Sequence, residues 1–243
     1  MKKILMAGLA AVAISGFSGP ASAEVAPITA GLSGTVTADN AFELFVSTDP
    51  NSLGTLVASG SDWQSPVDVS IPLDGAYKYY INIIADNFDG PATPDNGNPD
   101  ALLGQLSVSG NYQFAGGGQT LLTGSTGWTA DPNPNGEQLV SGDNFSPVSP
   151  LSWTAPTDAP AVFSLNGGSN IWTNVNNGAI GGISTNAYWI WSQNDPTGEA
   201  FFQTSVTMNA VPELSTWAMM LAGFAGLGFA GYRRSRQSPL PAA

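Results

Sequence analysis

The chain has 243 residues, 10% of them charged, with 29 Gly, 18 Pro and neither Cys nor His. That composition excludes thiolate chemistry and removes the commonest general base and metal ligand, so Ser-His, Cys-His and metal-His centres cannot form. Between residues 24 and 210 there are 17 acidic side chains and a single base, Lys78, for a net charge of −16. Nucleic acid is a poor partner for such a surface, because phosphate binding depends on clustered Lys and Arg.

The predicted elements begin with a secretory signal over 1–23. Lys2 and Lys3 precede an apolar stretch from Ile4 to Ile14, and Ala21 and Ala23 flank Ser22 in the small-x-small pattern read by signal peptidase, with cleavage before Glu24. Residues 24–210 then form one ectodomain, long enough to bury a core without disulfides. No convincing helical period runs through it. Short runs alternate instead: "AFELFV" (41–46), "TLVAS" (55–59), "VDVSI" (67–71), "YKYYINII" (77–84), "LLGQLSV" (102–108), "NYQFA" (111–115), "VFSL" (162–165), "AYWIWS" (187–192) and "FFQTSVTM" (201–208). Both faces of "YKYYINII" are largely apolar, which predicts a central strand, whereas "VDVSI" sets Val67, Val69 and Ile71 against Asp68 and Ser70 and predicts a half-exposed one. Turn residues separate the runs at roughly 8–12-residue intervals, with Asp74-Gly75 a tight-turn signal. The expected fold is all-β, an antiparallel β-sandwich.

The ordered segments "ADNAFELFV", "GSDW", "IPLDGAYKYYINIIADN", "PDALLGQLSV" and "GSTGWTA" resemble a galactose-binding-like jelly roll, and "AYWIWSQNDPTGEAFFQTSV" resembles a strand pair found beside it in exported bacterial proteins. The likeness covers most of residues 35–208. It departs at "STDPNSLG" (47–54), which stands where the pattern carries a short Asn-Gly turn.

Two constellations merit weighing. Asp86, Asp89, Asp95 and Asp100, with Asn87, Asn96 and Asn98, give the 85–100 loop the hard oxygens that calcium takes, although no EF-hand spacing is present. Structural calcium is also common in the resembled class, and a solvated, turn-rich loop is the competing reading. Carbohydrate binding, implied by the resemblance, would use an exposed ring. Trp63 beside Asp62 and Gln64, and Trp128 near Asp131, are the candidates, against the ordinary fate of Trp in a core. A carbohydrate-active hydrolase using Asp131 with Glu137, or Asp195 with Glu199, is the enzymatic alternative. Nothing in the spacing of those pairs distinguishes them from turn residues, and "AGGGQT" lacks the Lys-Ser/Thr of a phosphate loop. A non-enzymatic protein is expected, with no catalytic residue.

From Leu214 to Tyr232 the chain carries no charge, and as a helix this run spans about 28 Å, near the hydrocarbon core of about 30 Å. Arg233, Arg234 and Arg236 follow, so the positive-inside bias leaves 237–243 as a short cytoplasmic tail. Ala218, Ala222, Gly226 and Ala230 recur every four residues, a small-residue face that permits close helix approach. Residues 211–236, "VPELSTWAMMLAGFAGLGFAGYRRSR", resemble the PEP-CTERM sorting signal. The resemblance implies that Val211, Pro212 and Glu213 are recognised and processed by an exosortase in the inner membrane of a Gram-negative bacterium. The protein would then pass from a transient anchor to the outer surface or an exopolysaccharide matrix. Leu214 stands where the pattern has a second Pro.

Overall fold

The computed structural model describes residues 30–87, 100–132, 140–141, 144–145, 153–193, 195, 198–209 and 214–235, with side chains for all of these except 140, 141, 144, 145, 171, 214–217 and 235. The signal residues Ala21 and Ala23, the motif Val211, Pro212 and Glu213, and Arg236 lie outside the described residues.

In chain order the strands are β1 (Gly31–Asp39), β2 (Ala41–Ser47), β3 (Thr55–Gly60), β4 (Val67–Pro72), β5 (Lys78–Asp86), β6 (Ala101–Val108), β7 (Tyr112–Phe114), β8 (Thr120–Leu122), β9 (Thr129–Pro132), β10 (Val140–Ser141), β11 (Asn144–Phe145) and β12 (Ala161–Leu165). Helix α1 (Ile171–Asn176), β13 (Tyr188–Trp191), β14 (Glu199–Met208) and helix α2 (Leu214–Ser235) complete the described elements. One sheet runs β12-β13-β6-β1-β4, with β8 also on β6; the other runs β3-β2-β5-β14-β7, with β9 also on β14; β10 and β11 pair apart. Pairing is antiparallel throughout. The two large sheets make an all-β sandwich, as expected.

Period-two alternation builds the core between the sheets. Val36 and Ala38 of β1 and Leu102 and Leu106 of β6 meet Phe42 and Leu44 of β2, Ile81 and Ile83 of β5, and Phe202 and Val206 of β14. The "YKYYINII" run becomes β5, central between β2 and β14. "VDVSI" becomes β4, at an edge of its sheet, with Asp68 and Ser70 exposed.

Each sheet is also covered on its outer face, which explains why the central strands are apolar on both sides. Residues 166–187 lie on the first sheet, where Trp172, Ile180, Ile183 and Ala187 pack with Trp189, Ala101 and Leu103. Asn166 fixes this cover: its Nδ2 donates to the carbonyls of Ile180 (3.1 Å) and Ile183 (2.9 Å), and its Oδ1 accepts from the Ile180 amide. Within it, α1 starts at Asn170, whose side chain accepts from the Thr173 amide, and stops at Asn177 in a left-handed conformation.

The second sheet is covered by 47–54, the segment that departs from the resembled pattern. Asn82 Nδ2 donates to the carbonyls of Ser52 (3.1 Å) and Leu53 (2.9 Å), while Gln203 Nε2 and Trp153 Nε1 both reach the Pro50 carbonyl. Gly54 closes this strap at φ +91°, where a Cβ would lie 2.2 Å from the Val46 carbonyl oxygen, so only glycine fits.

Helix α2 has 22 residues, and every side chain described in it, Ala218 to Arg234, is exposed. Among the described residues no helix is long and apolar enough to cross a membrane. The transmembrane span expected over 214–232 is therefore not carried by the described side chains. They begin at Ala218, and the uncharged run from there to Tyr232 reaches about 22 Å, short of a bilayer core.

Candidate functional site

Three groups of side chains in the sandwich stand apart from ordinary core and surface. The first is a rim where the two sheets meet. β1 ends at Asp39, the chain crosses to the second sheet through Asn40, and the Asn40 amide donates to the Asp86 carbonyl at 2.9 Å. Asp86 lies opposite both Ala41 of β2 and Glu199 of β14, and Asp39 lies opposite Ala101. Asn87 Nδ2 donates to Asp100 Oδ1, joining the end of β5 to the start of β6. Asp39, Asp86, Asp100 and Glu199 are all buried here. Asp39 accepts from Trp172 Nε1 at 2.9 Å and from Asn40 Nδ2 at 3.0 Å. Burial raises its carboxyl to about 6, and the Trp172 hydrogen bond offsets part of that rise.

This rim bears on the calcium expectation. Asp86 and Asp100 are brought to one end of the fold, but Asp89 and Asp95 lie outside the described residues. Among the described residues no group of three or more His, Cys, Asp or Glu is placed to hold a metal ion. Asp86 and Asp100 alone do not form a calcium cage, and the four-carboxylate set with Asp89 and Asp95 extends beyond the described residues.

The second group is aromatic. Trp172 and Trp189 stack with centroids 4.4 Å apart at 14°, and Trp63 meets Trp189 edge-on at 6.5 Å. Trp63 is half-buried, and its carbonyl accepts from Thr37. Trp128, the other candidate for an exposed sugar-stacking ring, is instead 5% exposed in the main core, with Nε1 donating to the Leu122 carbonyl at 3.1 Å. The physical reason is the usual one for Trp: its large apolar area is worth more inside, once the ring N–H finds a carbonyl. The structure does not bring Trp63 and Trp128 into one site, since each packs in a separate cluster.

The third group is Glu43, which sequence reading passed over inside "AFELFV". On β2 it points with Ala41 and Phe45 to the outer face of the second sheet, opposite Ser59 and Ile84. It is 1% exposed, and neither carboxylate oxygen has a hydrogen-bond partner. Burial pushes its carboxyl up to about 7. A lone Glu in a strand otherwise apolar on both faces was the available signal.

Of the two acid pairs weighed from the sequence, Asp131 and Asp195 accept hydrogen bonds from neighbouring groups. Asp131 accepts from the Thr157 and Asp158 amides, so it pins the 157–158 segment to β9; Glu137 lies outside the described residues. Asp195 accepts from Trp191 Nε1 at 2.8 Å, while Glu199 is buried beneath the rim. Ala218, Ala222, Gly226 and Ala230 lie along α2, all exposed, and Arg233 and Arg234 occupy its last turn. No family model, no curated protein and no solved structure matches this chain.

Proposed function

We propose that this chain is an exported cell-surface or extracellular-matrix protein, non-enzymatic, whose C-terminal segment 211–236 is a PEP-CTERM-type signal processed by an exosortase. The observation that carries the reading is α2. Its described side chains are exposed on every side, including Met219, Leu221, Phe224, Leu227 and Phe229. A helix apolar all round is stable in lipid or against other helices, not in water. The sandwich offers it no covering face among the described residues. With residues 214–217 included, the uncharged run is of bilayer length, and Arg233 and Arg234 at its end favour a cytoplasmic tail. The acidic ectodomain suits delivery into the exterior, where net charge keeps it soluble. Expression of an epitope-tagged chain in an exosortase-bearing host tests this: the tag on 24–210 should leave the inner membrane in the presence of the exosortase and remain there in its absence.

Within this reading, the two-sheet architecture and the strand likeness over 35–208 support a jelly-roll-like ectodomain associated with exopolysaccharide. Trp63, half-buried at the edge of the aromatic cluster, is the ring that supports sugar contact. A second reading, a structural surface protein without a ligand, is favoured by the burial of Trp128, which leaves Trp63 as the one candidate sugar-stacking ring with exposed surface, and that ring already packs edge-on against Trp189. A glycan array separates the two: binding lost with Trp63→Ala supports recognition, and no binding by the native chain supports the structural role.

A further inference from the structure

We propose that Glu43 is a proton-operated latch whose ionisation loosens the strap, residues 47–54 and 153–158, from the outer face of the second sheet. The geometry comes first. Glu43 lies in one row across the sheet, Ser59–Glu43–Ile84–Phe201–Asp131. Ala41, Phe45, Ile84 and Phe201 form an apolar cluster on this face, and Leu53 of the strap and Trp153 pack against it. The Trp153 and Phe201 rings are 5.0 Å apart. A protonated carboxyl is tolerated in such a place; an ionised one, with no donor to either oxygen, must draw in water or lose its cover.

The charged and titratable groups around it give no relief. β3 contributes Ser59 and no ionisable side chain. β5 places Asp86 on the same face one row away, and β14 places Glu199 beside Asp86. Asp131 of β9 holds the Thr157 and Asp158 amides, Asp158 is exposed, and Asp49 of the strap is exposed with its carboxylate on the Asn51 amide. The cation on β5, Lys78, sits over the Tyr80 ring at 4.8 Å, six residues or about 20 Å along the strand from Ile84. Among the described residues, the ionisable groups placed on this face of the sheet, that distant Lys78 apart, are acidic.

The strap is the part that can yield. Its 47–54 part is held to the sheet by neutral hydrogen bonds from Asn82 and Gln203 to the carbonyls of Pro50, Ser52 and Leu53. Trp153 joins the two parts through the Pro50 carbonyl, and 157–158 is held at β9 by Asp131 and the Ala130 amide. None of these bonds belongs to the β2–β5–β14 ladder. Lifting it leaves the sheet intact and opens Phe45, Ile84 and Phe201 to solvent. Glu43 titrates near neutrality because of its burial, so the transition falls where an exported protein meets changing external pH.

Hydrogen exchange of the full chain at pH 5.5 and pH 8, corrected for intrinsic exchange, tests the latch. Protection of amides in 47–54 and 153–158 should fall roughly tenfold or more at the higher pH, with β1 and β6 unchanged. In Glu43→Gln that fall should vanish; Glu43→Met, neutral and of similar length, serves the same purpose should the amide disturb the fold. Asp39 titrates in an overlapping range but lies under 166–187, so its effect reads out there. An unchanged pH response in both variants, or no response in the native chain, overturns the proposal.

Discussion

The indole Nε1 of Trp172 donates to Oδ2 of Asp39 at 2.9 Å, tying a six-residue helix in the cover of the first sheet to the last residue of the strand beneath it. Trp172→Phe keeps a ring against Trp189 but leaves a buried carboxylate oxygen with one donor fewer, a loss on the order of 1–3 kcal/mol. Asp39 has its folded pKa raised, to about 6. Its contribution to stability is thus full below its unfolded value and is lost as pH rises through about 6. The variant's penalty should therefore be larger at pH 8 than at pH 4, as read by denaturant midpoints at the two values.

Glu43 obeys the same sign with a larger shift. Its folded pKa, about 7, lies above the unfolded value, so its favourable contribution holds below pH 4 and disappears as pH rises through 7. Glu43→Gln should raise stability at pH 8 by roughly 1–3 kcal/mol and leave it nearly unchanged at pH 4. Equal effects at both pH values would mean that the carboxyl does not titrate in this range.

Asn82 holds the strap with both amide hydrogens, to Ser52 and Leu53, and accepts from Gln203. Asn82→Leu fills the space but takes the donor from two carbonyls and the acceptor from one of the Gln203 amide hydrogens, the other keeping the Pro50 carbonyl, at a cost of about 2–4 kcal/mol. Gly54→Ala should also destabilise, through a Cβ forced against the Val46 carbonyl in a conformation that L-residues avoid. Thermal melts of both variants check this; an unperturbed Gly54→Ala would mean the strap closes differently.

The two candidate tryptophans should separate by stability alone. Trp128→Ala empties a core position and removes a hydrogen bond, for a loss of about 3–5 kcal/mol. Trp63→Ala, half-buried at a cluster edge, should cost clearly less. Equal losses in urea titrations would place Trp63 as deeply as Trp128.

Much of the sandwich was legible in residue alternation. The run "YKYYINII" gives both strand and rank within the sheet, because a central strand buried on two faces shows few polar positions; "FFQTSVTM" gives the strand but not its central place, because Gln203, Ser205 and Thr207 alternate with its apolar residues. β1 was missed as a strand run because Gly31, Ser33, Gly34 and Thr35 dilute its period, although Leu32, Val36 and Ala38 face the core. α1 was missed because six residues carry no helical period, and its caps, Asn170 and Asn177, look like loop residues. The site was less legible. Trp128 and Trp63 have similar local sequences, and only the three-dimensional covers decide which ring is enclosed. Glu43 has no sequence partner to mark it; its burial follows from the folded outer face of the second sheet, where Leu53 and Trp153 pack on the Ala41, Phe45, Ile84 and Phe201 cluster beside it.

The sorting proposal is tested most directly by mass spectrometry of the mature protein extracted from the cell surface of its host. The account predicts a product beginning at Glu24 and ending close to Glu213, with no peptide from α2. Surface material that still carries residues 214–235 would contradict it, because the terminal helix would then be a permanent part of the protein and no transfer from the membrane would take place.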